Sequence, residues 1–220
     1  QRLRQEAGIP GTGPSAVTSQ TGELKRIVDW VATAWTEIQA EQATWRWMRQ
    51  SATVTTVAGT NAYDLTNWGI DGEFSCWYPT SFTIYRQSLG RSDERDLVWM
   101  DYDTWRRLYD FGVAASTQGQ PTEFAIKPDE SIVLGFIPDA AYVVRADYQQ
   151  APIALAADAD IPGCPTQFHM AIVWKALMYY GEYESAPEAY GRGKNNFTTV
   201  MGQLRKSQLP AISVGAPLVP

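Results

Sequence analysis

From Glu23 onward the apolar residues Leu24, Ile27, Val28, Val31, Trp35 and Ile38, continued by Trp45, recur at three- and four-residue intervals, while Lys25, Asp29, Glu37 and Glu41 take the other side. This spacing predicts a long amphipathic helix with one buried stripe. It follows a lead-in at 10–22 rich in Gly, Pro, Ser and Thr and runs to the segment QATWRWMRQ at 42–50. After Gln50 the grammar changes to alternation, in SATVTTV and then AGTNAYDL with a Gly-containing turn at 58–61, which predicts strands. FTIYR at 82–86 reads as a further strand, followed by a polar loop and a short apolar LVW. MDYDTWRRLYDF reads as a short helix capped by Asp101, with Trp105, Leu108 and Tyr109 inward. Residues 120–151 give the clearest β pattern, three strands at 122–127, 131–136 and 142–148 joined by the turns Pro128-Asp129-Glu130 and Pro138-Asp139-Ala140. Connections that short predict antiparallel hairpins.

A loop, APIALAADADIPGCP, ends the β region, and two helices follow at 165–184 and 187–208, the second with Tyr190, Phe197, Met201 and Leu204 on one stripe. The last residues, LPAISVGAPLVP, carry three prolines and no charge, so they read as an extended tail. An uncharged apolar tail exposes hydrophobic surface unless it docks on another chain, which marks Leu209, Pro210, Ile212, Val214, Leu218 and Val219 as candidate partner-docking residues. The fold class is therefore α+β: an amphipathic helical bundle from residues 1–50 and 162–208, an inserted antiparallel β region with a short helix at 51–161, and a docking tail at 209–220.

Within QATWRWMRQ, Trp45 extends the helical stripe and Trp47 and Met48 stand where the helix gives way to the alternating strand. These three residues are read as the packing of a helix–sheet joint, with Arg46 and Arg49 near the helix C-terminus, where its dipole favours cations. A subunit interface and stacking on nucleic-acid bases are the alternatives.

A length of 220 residues supports a substantial core without a disulfide or metal. Cys76 and Cys164 fit neither a disulfide framework nor a zinc site and read as buried free thiols. The net charge of −6 argues against binding DNA by phosphate neutralisation, and suits a passage that DNA does not stick to. No run of 18 apolar residues and no signal-peptide layout is present, so the chain reads as soluble and not secreted, without membrane association; its start at Gln1 points to sequence upstream.

Candidate chemistry is thin. His169 stands alone, which disfavours His-based triads and metal clusters. The acidic pairs Asp101/Asp103, Asp93/Glu94 and Asp158/Asp160 read as caps or solvated charges rather than acid/base couples. GRGKNN at 191–196 has Glu188 where a phosphate loop needs its first Gly and Asn195 where it needs Ser or Thr. No catalytic, cofactor-binding or metal-binding residue is assigned, and the chain is not read as an enzyme. Nine Trp and eleven Tyr raise a glycan platform as an alternative, but Trp30, Trp35, Trp45, Trp47, Trp105 and Trp174 all fall on expected helices, which favours packing.

The order of these segments is itself informative. TGELKRIVDWVATAWTEIQ, TWRWMR, the GTNAYDL hairpin, QPTEFAI with its following PD turns, ADADIP and FHMAIVWKALMYYGEYESAPEAY resemble the head-to-tail adaptor (connector) proteins of tailed bacteriophages over about residues 3–209. The resemblance implies a structural virion protein at the head–tail junction, made in the host cytoplasm, with no cofactor. It implies as partners the portal protein, neighbouring copies in a twelve-fold ring, and tail or nozzle/stopper proteins, with DNA passing through the channel without sequence-specific binding. A stopper or tail-completion protein of the phage neck is the nearest alternative, and an aromatic-rich glycan-binding module the more distant one.

Overall fold

The computed structural model describes residues 1–70 and 72–209. They divide into two compact units, one from residues 1–48 and from 152 onward, the other Arg49–Ala151. The helices are α1 (Arg2–Ala7), α2 (Gly22–Ala40), α3 (Tyr102–Tyr109), α4 (Met170–Tyr183) and α5 (Pro187–Gln208). The fold class is α+β, as the sequence patterns predict.

In the helical unit α4 is the central element and packs against α1, α2 and α5. Its sequence, MAIVWKALMYYGEY, is apolar nearly all round, the pattern of a helix surrounded by others. Lys175 reaches out of this helix to Glu37 on α2, with Nζ 2.9 Å from the carboxylate. The core beneath comprises Ile27, Ala34, Trp35 and Ile38 of α2, Ala171, Ile172, Ala176 and Leu177 of α4, and Met201 and Leu204 of α5. Two glycines set the distance between α4 and α5. A Cβ on Gly181 would lie 2.6 Å from the Tyr190 nitrogen, and one on Gly193 would lie 2.9 Å from the Trp174 carbonyl oxygen. α5 opens on Pro187, whose missing N–H costs nothing at that position. It closes with Arg205 and Lys206, cations that suit its negative end.

The short α1 has no counterpart in the sequence pattern. Its Arg4 is buried, and the guanidinium donates to the carbonyls of Pro10 and Thr12, so the Gly-rich lead-in wraps around the Arg4 side chain.

In the other unit the strands are β1 (Arg49–Thr55), β2 (Ala62–Tyr63), β3 (Phe74–Trp77), β4 (Thr83–Arg86), β5 (Arg95–Asp96), β6 (Val98–Trp99), β7 (Gln118–Gly119), β8 (Glu123–Ile126), β9 (Ile132–Leu134), β10 (Ile137–Pro138) and β11 (Tyr142–Gln150). β11 is the spine of a five-stranded antiparallel sheet ordered β1-β11-β4-β5, with β3 also on β11. A second sheet runs β2-β9-β8-β6, and β7 pairs with β10. The β6–β8 and β7–β10 pairings are parallel and the rest antiparallel.

Two expectations about pairing are corrected here. Only β8 and β9 form a hairpin among the three strands after residue 120, because β11 turns away to pair with β1, β3 and β4. The GTNAYDL segment is not a hairpin with β1 either; Ala62 and Tyr63 pair with Val133 and Ile132. The reason lies in how many faces each strand must cover. β9 is buried on both, with Ile132 and Leu134 in the main core and Val133 under Trp105 of α3. β11 alternates from Tyr142 to Ala146, burying Tyr142, Val144 and Ala146 into that core, so over that stretch it serves a sheet with one covered face; Gln149 is buried beyond it.

Asp101 caps α3 as expected, accepting from the backbone N–H groups of Asp103 (3.1 Å) and Thr104 (3.3 Å). The Trp105 indole N–H donates to the Leu134 carbonyl at 3.1 Å, which fixes α3 on the second sheet.

Three carboxylates hold turns of this unit. Asp93 accepts from the Arg86 backbone and pairs with Arg95, Glu94 accepts from the Thr83 hydroxyl and pairs with Arg145, and Asp129 accepts from Ser131. In that order of cause, these bonds hold all three carboxyls below their ordinary values. A depressed folded-state pKa contributes stability that is complete above the ordinary carboxylate value and is lost as pH falls through the folded one. The urea midpoint of the isolated transition followed by near-ultraviolet signal should therefore fall on acidification below about pH 4. It should fall less in the Glu94→Gln variant.

Candidate docking surfaces

The chain leaves α2 at Ala40, five residues before the first of the paired tryptophans. Trp45 then folds back and is fully buried, and its indole N–H donates to the Ile38 carbonyl at 3.0 Å. Ile38 has one of the last four carbonyls of α2, which have no partner within the helix. Trp47 stacks on Trp45 with ring centroids 4.3 Å apart and planes inclined by 25°, and Met48 is buried in the same cluster. All three belong to the core of the helical unit, immediately before β1 begins.

Trp45 therefore reaches the core from a turn and not as the last step of the helical stripe. Burying a whole indole with its N–H satisfied outweighs the helical turn forgone. The two arginines move with it. Arg46 is exposed in a 3-10 turn, and Arg49 opens β1, where it pairs with Asp147 at 2.7 Å and lies over the Tyr78 ring at 4.5 Å. Neither sits at the C-terminal turn of α2.

Of the candidate docking residues, Leu209 is described: it follows α5 in an extended conformation, with its N–H on the Arg205 carbonyl and its side chain against the helical core. Pro210, Ile212, Val214, Leu218 and Val219 lie outside the described residues.

The loop after the β region is fastened to the rest of its unit through Gln39 and Val17, and braced internally by Asp160. The Gln39 amide, buried on α2, accepts from the Ile153 N–H (3.0 Å) and donates to its carbonyl (2.9 Å), as a neighbouring strand would. Asp160 accepts from the N–H groups of Ala156 and Ala157, both at 2.7 Å, and Asp158 accepts from the Val17 N–H. The acidic pair is thus a set of loop fasteners. The fastened loop forms one wall of a groove of about 260 Å³. Leu3, Ile27, Val28, Val31, Leu155 and Val173 supply its apolar lining, and Arg2, Asp158 and Asp160 stand at its polar edge.

A second concavity, about 440 Å³, lies beside Glu37, Ile38, Ala40, Glu41, Lys175 and Phe197. Burial raises the Glu37 carboxyl, but the nearby Tyr179 hydroxyl and Lys175 ammonium outweigh it and leave the group below its ordinary value. The Tyr179 hydroxyl is pushed well above the usual phenol value, first by burial and then by facing Glu37. Lys175 is mostly covered whereas the Glu37 side chain is about half exposed, so the pair is a partly solvated clasp between α2 and α4.

The remaining reactive groups are dispersed. His169 has Nε2 3.0 Å from the Cys164 carbonyl, to which it donates as the Nε2–H tautomer. Cys164 is buried and its thiol is raised to about 11 by that burial, whereas Cys76 is exposed, which corrects the expectation that both thiols are buried. The reason is that Cys76 lies on the uncovered side of β3, between the inward Trp77 and the half-buried Phe74. Among the described residues no three His, Cys, Asp or Glu side chains cluster as metal ligands, and no helix is long and apolar enough to cross a membrane.

What the geometry offers is therefore surface: an apolar groove, a charged clasp, and a helix that ends on an uncharged apolar segment. The family model for the SU10 adaptor protein matches residues 2–219. The chain belongs to that family. No individual curated protein matches it. The adaptor identity agrees with the resemblance carried by the ordered segments, from the α2 sequence through FHMAIVWKALMYYGEYESAPEAY in α4 and α5. It makes this chain a phage adaptor protein, a component of the virion neck that works through association with other neck proteins.

In the adaptor, sequence reasoning missed the Gln39–Ile153 clasp and the glycine contacts of α4 and α5. Gly193 was visible only as part of a failed phosphate-loop match, although a glycine inside an otherwise good helix is itself a sign of close packing.

Proposed function

We propose that this adaptor assembles as a twelve-fold ring beneath the portal protein, forms part of the DNA channel and offers the platform on which tail or nozzle/stopper proteins attach. The observation that carries this reading is the family match over nearly the whole chain, together with an α5 that ends in an uncharged apolar segment. In this reading Leu209, Pro210, Ile212, Val214, Leu218 and Val219 dock on portal subunits, burying aliphatic side chains that no charge would need to follow out of water. The net charge of −6 lets DNA pass by repelling its phosphates rather than gripping them. Trp45, Trp47 and Met48 stiffen the point where the chain passes from the helical unit into β1.

The test is co-sedimentation of purified adaptor with portal rings, followed by electron microscopy of the assembly. The full chain should decorate the portal as a ring, and the chain ending at Leu209 should bind at least about tenfold more weakly, a loss of about 1.4 kcal/mol that burial of a single aliphatic side chain would already supply. Adaptor that stays monomeric with portal present, whether or not it carries residues 210–220, would falsify the ring reading. Cross-links from Leu218 to a tail subunit in place of portal would assign the stopper position instead.

A further inference from the structure

The apolar groove of the helical unit needs an occupant, and the chemistry of this chain supplies one. We infer that in the free protein the groove between α1, α2 and the 152–160 loop holds this chain's own segment Ile212–Val219, which keeps that segment covered until a partner takes it. The inference concerns the free protein and does not depend on the ring reading.

Complementarity comes first. The floor is formed by Leu3, Ile27, Val28, Val31, Leu155 and Val173, a surface of aliphatic side chains without a hydrogen-bonding group. Asp158 and Asp160 at its edge repel acidic peptides, and Arg2 is the one basic side chain among the described lining residues. An uncharged aliphatic occupant meets both conditions, and Ala211–Val219 contains Ile212, Val214, Leu218 and Val219 with no charged residue. Pro210 and Pro217 restrict the backbone of the segment to extended conformations, which lowers the entropy lost on seating it.

Reach comes second. Arg205, near the end of α5, pairs with Glu41 just beyond the end of α2, so the segment starts near that end of α2. The groove uses Ile27, Val28, Val31 and Ala32 of α2. At 1.5 Å per residue these lie roughly 14–21 Å back along the helix from Glu41. Residues 210–219 in extended form span up to about 33 Å, enough to lay Ile212–Val219 along the groove without a second copy.

Coverage has a functional consequence. A partner that needs the segment must compete with the groove, and its apparent affinity is reduced by the fraction of time the segment is covered. Such a contact would delay portal engagement or self-association until the competing site is abundant.

The experiment uses the full chain with Cys76→Ser, so that buried Cys164 is the only native thiol. Val28→Cys is combined with Val214→Cys and treated at low micromolar concentration with a short bifunctional maleimide, and the products are read by intact mass. Monomers carrying an internal link are expected, at about tenfold or more over a control pair with Thr33→Cys on the exposed side of α2, because seating raises the effective concentration of the two thiols. Linked dimers alone would overturn the inference in favour of a second copy as occupant, and equal yields from both pairs, or none from either, would overturn it outright. A second measurement needs no cysteine: hydrogen exchange of the backbone around Leu155–Ala157 should be faster in the chain ending at Leu209 than in the full chain. Unchanged exchange would overturn the inference as well. Neither measurement contains portal, so a failure here leaves the portal reading to be judged by its own test.

Discussion

Replacing Trp45 with Ala should lower the stability of the helical unit by about 3–5 kcal/mol, the range for deleting a fully buried large aromatic side chain. Three losses combine at this position. The indole is completely buried among Ile38, Met48 and the α4 residues of the same core, so its removal leaves a cavity that a packed interior closes only in part. Its N–H is the partner of the Ile38 carbonyl, which would be left unpaired at the end of α2. Its ring is also the surface on which Trp47 stacks. The check is urea unfolding followed by circular dichroism at the helical band. Trp45→Phe separates part of the contributions, since it keeps one six-membered ring while removing the donor and the pyrrole half of the indole, and should cost on the order of 1–3 kcal/mol. A Trp45→Ala midpoint within error of the parent would show that this cluster does not hold the unit together.

The second large effect is at the crossing of α4 and α5, where adding a single methyl group should do harm that its intrinsic propensity cannot offset. Alanine is favoured over glycine in a helix interior by about 1 kcal/mol. At Gly181, however, the new Cβ would meet the Tyr190 nitrogen at 2.6 Å and its Cα at 2.9 Å, and at Gly193 it would meet the Trp174 carbonyl at 2.9 Å. Backbone atoms cannot swing aside as a flexible side chain does, so the helices must separate and the packing of Met178 and Tyr190 goes with them. Gly181→Ala should therefore be destabilising by a net ~1–3 kcal/mol, the usual cost of overpacking. Gly202→Ala supplies the control, because it lies in the same α5 with nothing within 4 Å of the added carbon. That variant should gain stability by roughly 0.5–1 kcal/mol. Opposite signs from the same substitution in one domain, read from thermal midpoints, would establish that close approach and not helix propensity selects glycine at Gly181.

Both effects bear on function through rigidity. In the proposed reading the segment beyond Leu209 engages a partner or its own groove from the end of α5, so its point of departure is only as well placed as α5 is on α4. Loss of the Gly181 contact should disturb that placement before it unfolds the unit.

Much of the architecture follows from local pattern. The spacing of Leu24, Ile27, Val31, Trp35 and Ile38 is enough to fix α2 and its buried face, because a helix repeats every 3.6 residues and only one face can be covered. Asp101 announces α3 since a carboxylate two and three residues before free N–H groups has few better partners. The family resemblance, too, was legible in the order of segments, and the family match spans them all. The scarcity of histidine and cysteine disfavoured metal and His-based chemistry without any coordinates.

Long-range pairing was not legible, and the reason is physical. A strand's alternation states which side is buried but not which strand lies beside it, so the nine residues of β11 gave no sign that β1, 88 positions earlier at its closest register, would be their partner while β9 would not. The end of α2 was equally hidden. Residues 41–45 are ordinary helix formers, and the chain departs because Trp45 gains more by burial against Ile38 than by one further turn. The groove and the Gln39–Ile153 clasp depend on contacts made by residues far apart in the chain, and the glycine crossing on residues 9 and 19 positions apart, beyond the reach of a helical repeat. The sequence by itself determined the longer helices, the main strands and the class of protein, since each of these rests on neighbours a few residues apart; only the tertiary structure decided where those elements end, which faces meet and what surface remains for a partner, because that choice is made by side chains brought together across the whole chain.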